Sequence, residues 1–136
     1  MPHRIPLFLT AIAFALAACA PEETLSVSRG QQTFSDNCTL CHGFDGKGTG
    51  PVAGDLGAAP PDLTLLSAAN GGVFPGTRVM DTVWRDSTDL HRRVMPEFAE
   101  LFIDDPLVPY DGGDGIETPT PLRLIELAEY LETLQE

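Results

Sequence analysis

Two cysteines three residues apart and followed at once by a histidine constrain this chain more than any other feature: Cys38-Thr39-Leu40-Cys41-His42. On a helix, positions i, i+3 and i+4 share one face, so two thiols and an imidazole address a common target. The CxxCH pattern is the attachment signature of a haem, in which Cys38 and Cys41 form thioethers to the two vinyl groups while His42 is directed at the iron. Two other chemistries use paired cysteines. A dithiol redox site sits at a strand-to-helix junction of an α/β pattern, and no strand pattern precedes Cys38. A zinc site would need further ligands at finger-like spacing. Covalent haem is the reading that the context favours.

Composition agrees with a domain that needs a filler at its centre. The chain has 136 residues, 43% of them hydrophobic, with 13 glycines and 12 prolines. One small domain of that kind has a thin margin between buried surface and chain entropy. A covalently held macrocycle would supply the missing core. The 20 acidic side chains against 8 basic ones give a net charge of -12. Phosphates would meet a like-charged surface, so nucleic-acid binding is set aside.

The third cysteine belongs to a different job. Residues 1–18 have the layout of a secretory signal: Arg4 near the start, an apolar run from Ile5 to Leu16, then Ala17-Ala18 before Cys19. The run is about a dozen residues, short of the roughly 20 a spanning helix needs, and no later stretch is apolar enough to span. Leu16-Ala17-Ala18-Cys19 resembles a bacterial lipobox, which implies acylation at Cys19 and a membrane anchor on the periplasmic side. Ordinary cleavage, leaving Cys19 as a free thiol, is the alternative. Residues 19–27 then read as a lipidated tether and residues 28–136 as the folded domain.

From Ser28 onward the chain resembles the class I c-type cytochromes. The stretch Gly30-Gln31-Gln32-Thr33-Phe34 ahead of Cys38 is similar to that family's N-terminal helix, and Tyr130 and Leu131 are similar to its contacts where the terminal helices cross. The resemblance implies an all-α cytochrome c fold, with three to five helices around a covalently bound haem and the N- and C-terminal helices crossing. The residues alone say less. Ser28 and Gln31 form a capping box that starts a helix. Gly30 within that helix costs about 1 kcal/mol against alanine, which implies a compensating role such as close approach of another helix. Thr120-Pro121 suggests an N-cap with proline at the first helical position, and Leu124, Leu127, Ala128, Leu131 and Leu134 follow at helical spacing.

Iron held by His42 has a sixth position, and its occupant decides between electron transfer and ligand chemistry. Met95, Met80 and His91 compete for it. Met95-Pro96-Glu97-Phe98 resembles the family's ligand loop, and Pro96 pushes Met95 toward extended geometry. Met80 sits among Val79 and Val83 at core spacing and reads as a gap filler. His91 lies in a polar run. The glycine-rich stretch from Gly43 to Pro51 reads as a loop beside the ring. The family orients its ligand histidine with a proline carbonyl after this loop, a role that falls to Pro51 first, with Pro60 and Pro61 as alternatives. Trp84 either donates to a haem propionate or fills core. Arg78, Arg85, Arg92 and Arg93 pair propionates, form a docking patch, or simply balance nearby aspartates. The acidic run around Asp111 to Asp114 reads as a solvated loop without EF-hand spacing.

No acid–base pair or nucleophile stands at workable spacing beside the motif, so the expected protein is an electron carrier and not an enzyme. It would pass single electrons between redox partner proteins. The alternative is a haem subunit or ligand-responsive protein of a larger redox enzyme. The negative charge favours a donor or acceptor with a basic face, while the local arginines favour the opposite polarity.

Overall fold

A computed structural model describes residues 25–84 and 95–136. The leader with Cys19, and the segment with His91 and the arginines Arg85, Arg92 and Arg93, lie outside the described residues. Helix α1 (Val27–Asn37) begins where the Ser26 hydroxyl accepts the N–H of Arg29 at 3.4 Å. The expected box at Ser28 and Gln31 is thus displaced by two residues. Ser26 has the extended backbone that aims a cap oxygen at the first free amides, whereas Ser28 is already inside the first turn.

Gly30 and Phe34, one turn apart, form the buried face of α1. They meet α4 (Leu122–Thr133) at the other end of the chain. A Cβ on Gly30 would stand 1.9 Å from the Glu126 carbonyl oxygen, so the two backbones touch and only glycine fits. One turn further, the rings of Phe34 and Tyr130 pack at 5.5 Å between centroids. The terminal helices cross as the sequence suggests.

Helix α4 is buried over far more than one stripe. Leu124, Ile125, Leu127, Ala128 and Leu131 are all inside, and Glu126 is fully buried with them. A helix apolar over most of its circumference is a central element rather than a surface one. The Glu126 carboxylate is satisfied by the N–H of Ser26 at 2.9 Å, by Arg29 Nε at 3.0 Å, and by an ion pair with the same guanidinium. Helix α3 (Gly76–Trp84) turns Met80 and Val83 toward this core.

The all-α expectation needs one correction. Strand β1 (Leu107–Asp111) pairs antiparallel with β2 (Glu117–Pro121). Leu107 stands opposite Pro121 and Pro109 opposite Pro119. Those residues occupy positions whose N–H would point away from the partner strand, so the prolines remove no ladder bond and blunt the outer edges. The Leu122 N–H bonding to the Pro106 carbonyl at 3.0 Å matches that pattern. Thr120 and Pro121 therefore end the strand, and Pro121 rather than Thr120 takes the N-cap position of α4, with no side-chain capping bond. The connecting acidic loop folds around Asp111, whose carboxylate accepts N–H bonds from Gly113, Asp114 and Gly115 at 2.9, 3.0 and 2.9 Å. These bonds, that from Gly113 foremost, lower its pKa below the usual carboxylate range.

Candidate functional site

The chain bends at Cys38 between α1 and a single helical turn, α2 (Thr39–His42). It then folds back over the end of that turn. The N–H groups of Gly48, Gly50 and Val52 bond the carbonyls of His42, Cys41 and Leu40 at 2.8, 3.1 and 3.1 Å. The carbonyls a helix end leaves open are satisfied without any side chain. Gly48 is required twice over: its φ is +77°, and a Cβ there would lie 2.3 Å from the Pro60 carbonyl oxygen. Gly50 needs room instead of positive φ, since its Cβ would fall 2.4 Å from the Leu40 carbonyl.

This packing puts His42 at the junction of two cavities of about 210 Å³ each. His42, Pro61 and Met95 line both. The inner cavity reaches the core between Phe34, Val79, Val83, Leu127 and Leu131, and Cys38 opens onto it. The outer one runs past Leu56, Ala58, Ala59 and Pro60, and Cys41 opens onto it. An imidazole and a thioether thus share one slot, with a thiol in each of its two lobes. The polar side chains of the inner wall besides His42 are Arg78 and Thr82, four residues apart on α3.

His42 is buried, and burial lowers its pKa so that the ring is neutral near pH 7. The Pro61 carbonyl beside the ring pulls weakly the other way. Its approach falls short of a hydrogen bond, because Nδ1 is buried without a partner of normal geometry. An orphaned buried nitrogen is costly unless the ring is held from its other side and can close onto that carbonyl. Cys38 and Cys41 are not joined in a disulfide. Burial, and then the neighbouring Cys41, push the Cys38 thiol up to about 11. A dithiol redox site requires the opposite shift, toward thiolate. Among the described residues no group of three or more His, Cys, Asp or Glu side chains gathers at metal-binding distance.

The structure sorts the other candidates. Met95 reaches the His42 slot. Met80 is buried core on a separate groove with Trp84, Phe102 and Leu107. Trp84 is 40% exposed on that groove and does not line the slot, because its position on α3 turns it away from the face that carries Arg78 and Thr82. Pro51 is exposed and borders a surface depression with Phe44 and Thr49. The proline carbonyl at the imidazole belongs to Pro61, because the 60–63 segment folds back against the glycine loop, with Leu63 N–H bonding the Gly46 carbonyl at 2.8 Å. Thr82 escaped the sequence reading, although its i+4 spacing from Arg78 was a usable signal.

A helical domain in which a buried neutral imidazole and a thioether line one apolar slot, with a thiol on each of its lobes, fits a covalently held haem. Residues 27–93 match the family model described as Cytochrome c. That match supports a c-type cytochrome, a family whose cofactor is a covalently attached haem c and whose role is haem-based electron transfer. Neither a curated protein nor a solved structure matches it. Among the described residues no helix is long and apolar enough to cross a membrane.

Proposed function

We propose that this chain is a one-electron carrier of the class I type, in which Cys38 and Cys41 would hold haem c covalently and His42 and Met95 would ligate its iron. The observation that carries the proposal is the shared slot: His42 and Met95 line the same two cavities, and each cavity receives one of the two cysteines. Attachment is redox-neutral, since each thiol adds its sulfur and its hydrogen across one vinyl double bond. Bound there, haem c supplies a one-electron iron couple. Burial keeps His42 neutral and its lone pair available. The Pro61 carbonyl offers Nδ1–H an acceptor and so fixes ring orientation. Pro96 stiffens the backbone that presents the Met95 sulfur. The aliphatic walls exclude water from the ligands, and neither ligand has to gain or lose a proton when an electron passes. Arg78 and Thr82 offer a cation and a hydroxyl to the propionate edge.

The protein works in an exported bacterial redox chain, held on the periplasmic side of a membrane by lipid on Cys19, and exchanges electrons with donor and acceptor proteins. The leader sequence and the lipobox-like Leu16-Ala17-Ala18-Cys19 support the anchor. The ligand assignment is tested by optical spectra of the ferric protein. Met95→Ala abolishes the red-region sulfur-to-iron band, whereas Met80→Ala keeps it. The reverse result moves the sixth ligand to Met80.

A further inference from the structure

One wall of the inner cavity is fastened from the far end of α4. Just beyond that helix, the Gln135 amide bridges two points of the 63–67 segment: Nε2 donates to the Leu63 carbonyl at 2.8 Å, and Oε1 accepts the Ser67 N–H at 2.8 Å. Its second Nε2 hydrogen goes to the Leu131 carbonyl of α4 at 2.8 Å, so both amide hydrogens are engaged. The Glu136 N–H adds a bond to the Thr64 carbonyl at 3.0 Å. Leu63 itself lines the inner cavity and lies two residues from Pro61, the residue whose carbonyl faces the imidazole. On the other side the segment rests on the glycine loop through Leu63 N–H and Gly46. Pro61 is therefore held between a backbone bond to the loop and a side-chain clamp from α4. The gap it leaves is informative, because Nδ1 of His42 is buried without a hydrogen bond and the Pro61 carbonyl lies beside the same ring.

We propose that Gln135 is a positioning residue for the His42 ligand: by clamping Leu63 and Ser67 to α4 it sets how closely the Pro61 carbonyl approaches Nδ1, and through that bond it tunes the reduction potential. A carbonyl that accepts Nδ1–H makes the imidazole a stronger donor to the iron, which favours the more highly charged ferric state and lowers the potential. Releasing the clamp weakens that bond and raises the potential. This rests on His42 ligation as proposed above.

The test uses the haem-loaded protein and two variants. Gln135→Leu removes every polar contact of the clamp. Gln135→Glu keeps an acceptor for the Ser67 N–H but, when ionised, cannot donate to the Leu63 carbonyl. Potentiometric titration is paired with NMR measurement of solvent exchange at the His42 ring N–H. The expected result is a higher potential in Gln135→Leu and faster ring N–H exchange in both variants, about tenfold in Gln135→Leu, with the sulfur-to-iron band retained; the added negative charge of Gln135→Glu itself lowers the potential, so that variant is read by exchange. An unchanged potential and unchanged exchange beside a lowered thermal midpoint overturn the proposal and leave Gln135 a structural residue. Absence of an iron-shifted His42 ring N–H from the unmutated protein overturns the ligation itself, and the clamp's role with it. Should Gln135→Leu fail to retain haem, ring N–H exchange in Gln135→Glu decides alone, and unchanged exchange there refutes the proposal.

Discussion

The crossing of α1 with α4 and the slot around His42, whose inner lobe takes one wall from the same two helices, differ in completeness. At the crossing every contact is closed. Backbone meets backbone at Gly30, ring meets ring at Phe34 and Tyr130, and the buried Glu126 has its amide and guanidinium partners. At the slot, Phe34, Leu127 and Leu131 face space, and the buried Nδ1 has no partner. One region is a finished core; the other is a core designed around a guest. The difference separates what stabilises the protein from what makes it work.

Variants at the two regions should therefore fail in different ways. The largest effect belongs to the slot: the double variant Cys38→Ala/Cys41→Ala loses all haem that resists acid–acetone extraction, whereas the unmutated protein retains it, as read from the spectrum of the extracted chain. Next comes Gly30→Val, which drives side-chain atoms into the Glu126 carbonyl and costs about 3 kcal/mol or more in denaturant unfolding, with the ligand spectrum of the surviving folded fraction unchanged. Arg29→Ala leaves the Glu126 carboxylate buried with one amide partner. Arg29 is about half exposed, so the loss is smaller than for a fully buried pair, about 1–2 kcal/mol, and again without a spectral change. The smallest effect returns to the slot. Arg78→Gln removes a cation from the cavity wall, and a cation favours the less positively charged reduced state. The potential falls by the equivalent of under about 1 kcal/mol, Arg78→Lys restores most of it, and stability holds. A crossing variant that altered the ligand spectrum, or an Arg78 variant that unfolded the protein without moving the potential, would blur the distinction.

The chemistry was more legible than the geometry. Cys38, Cys41 and His42 declare themselves because their spacing is local and each residue type is needed for one bond. Gly30 was legible for a similar reason, since a glycine inside a helix demands an explanation. The identity of the proline beside His42 was not. Pro51, Pro60 and Pro61 all follow the glycine loop, and only the fold-back that pairs Leu63 with Gly46 brings Pro61 into place. The hairpin was hidden because its strands are full of prolines, which read as breakers until the register shows that they face outward. The bond from Glu126 to Arg29 joins residues 97 positions apart, a separation at which periodicity is silent. Trp84 read as a propionate donor by type, yet its place on α3 gives it to the other groove.

The proposed ligation by both His42 and Met95 would make the protein a carrier instead of a ligand-binding subunit. Carbon monoxide mixed rapidly with the native ferrous protein at neutral pH tests it directly. A six-coordinate carrier leaves the spectrum unchanged on the mixing timescale, and Met95→Ala opens the site to immediate binding. Rapid binding by the unmutated protein would contradict the assignment.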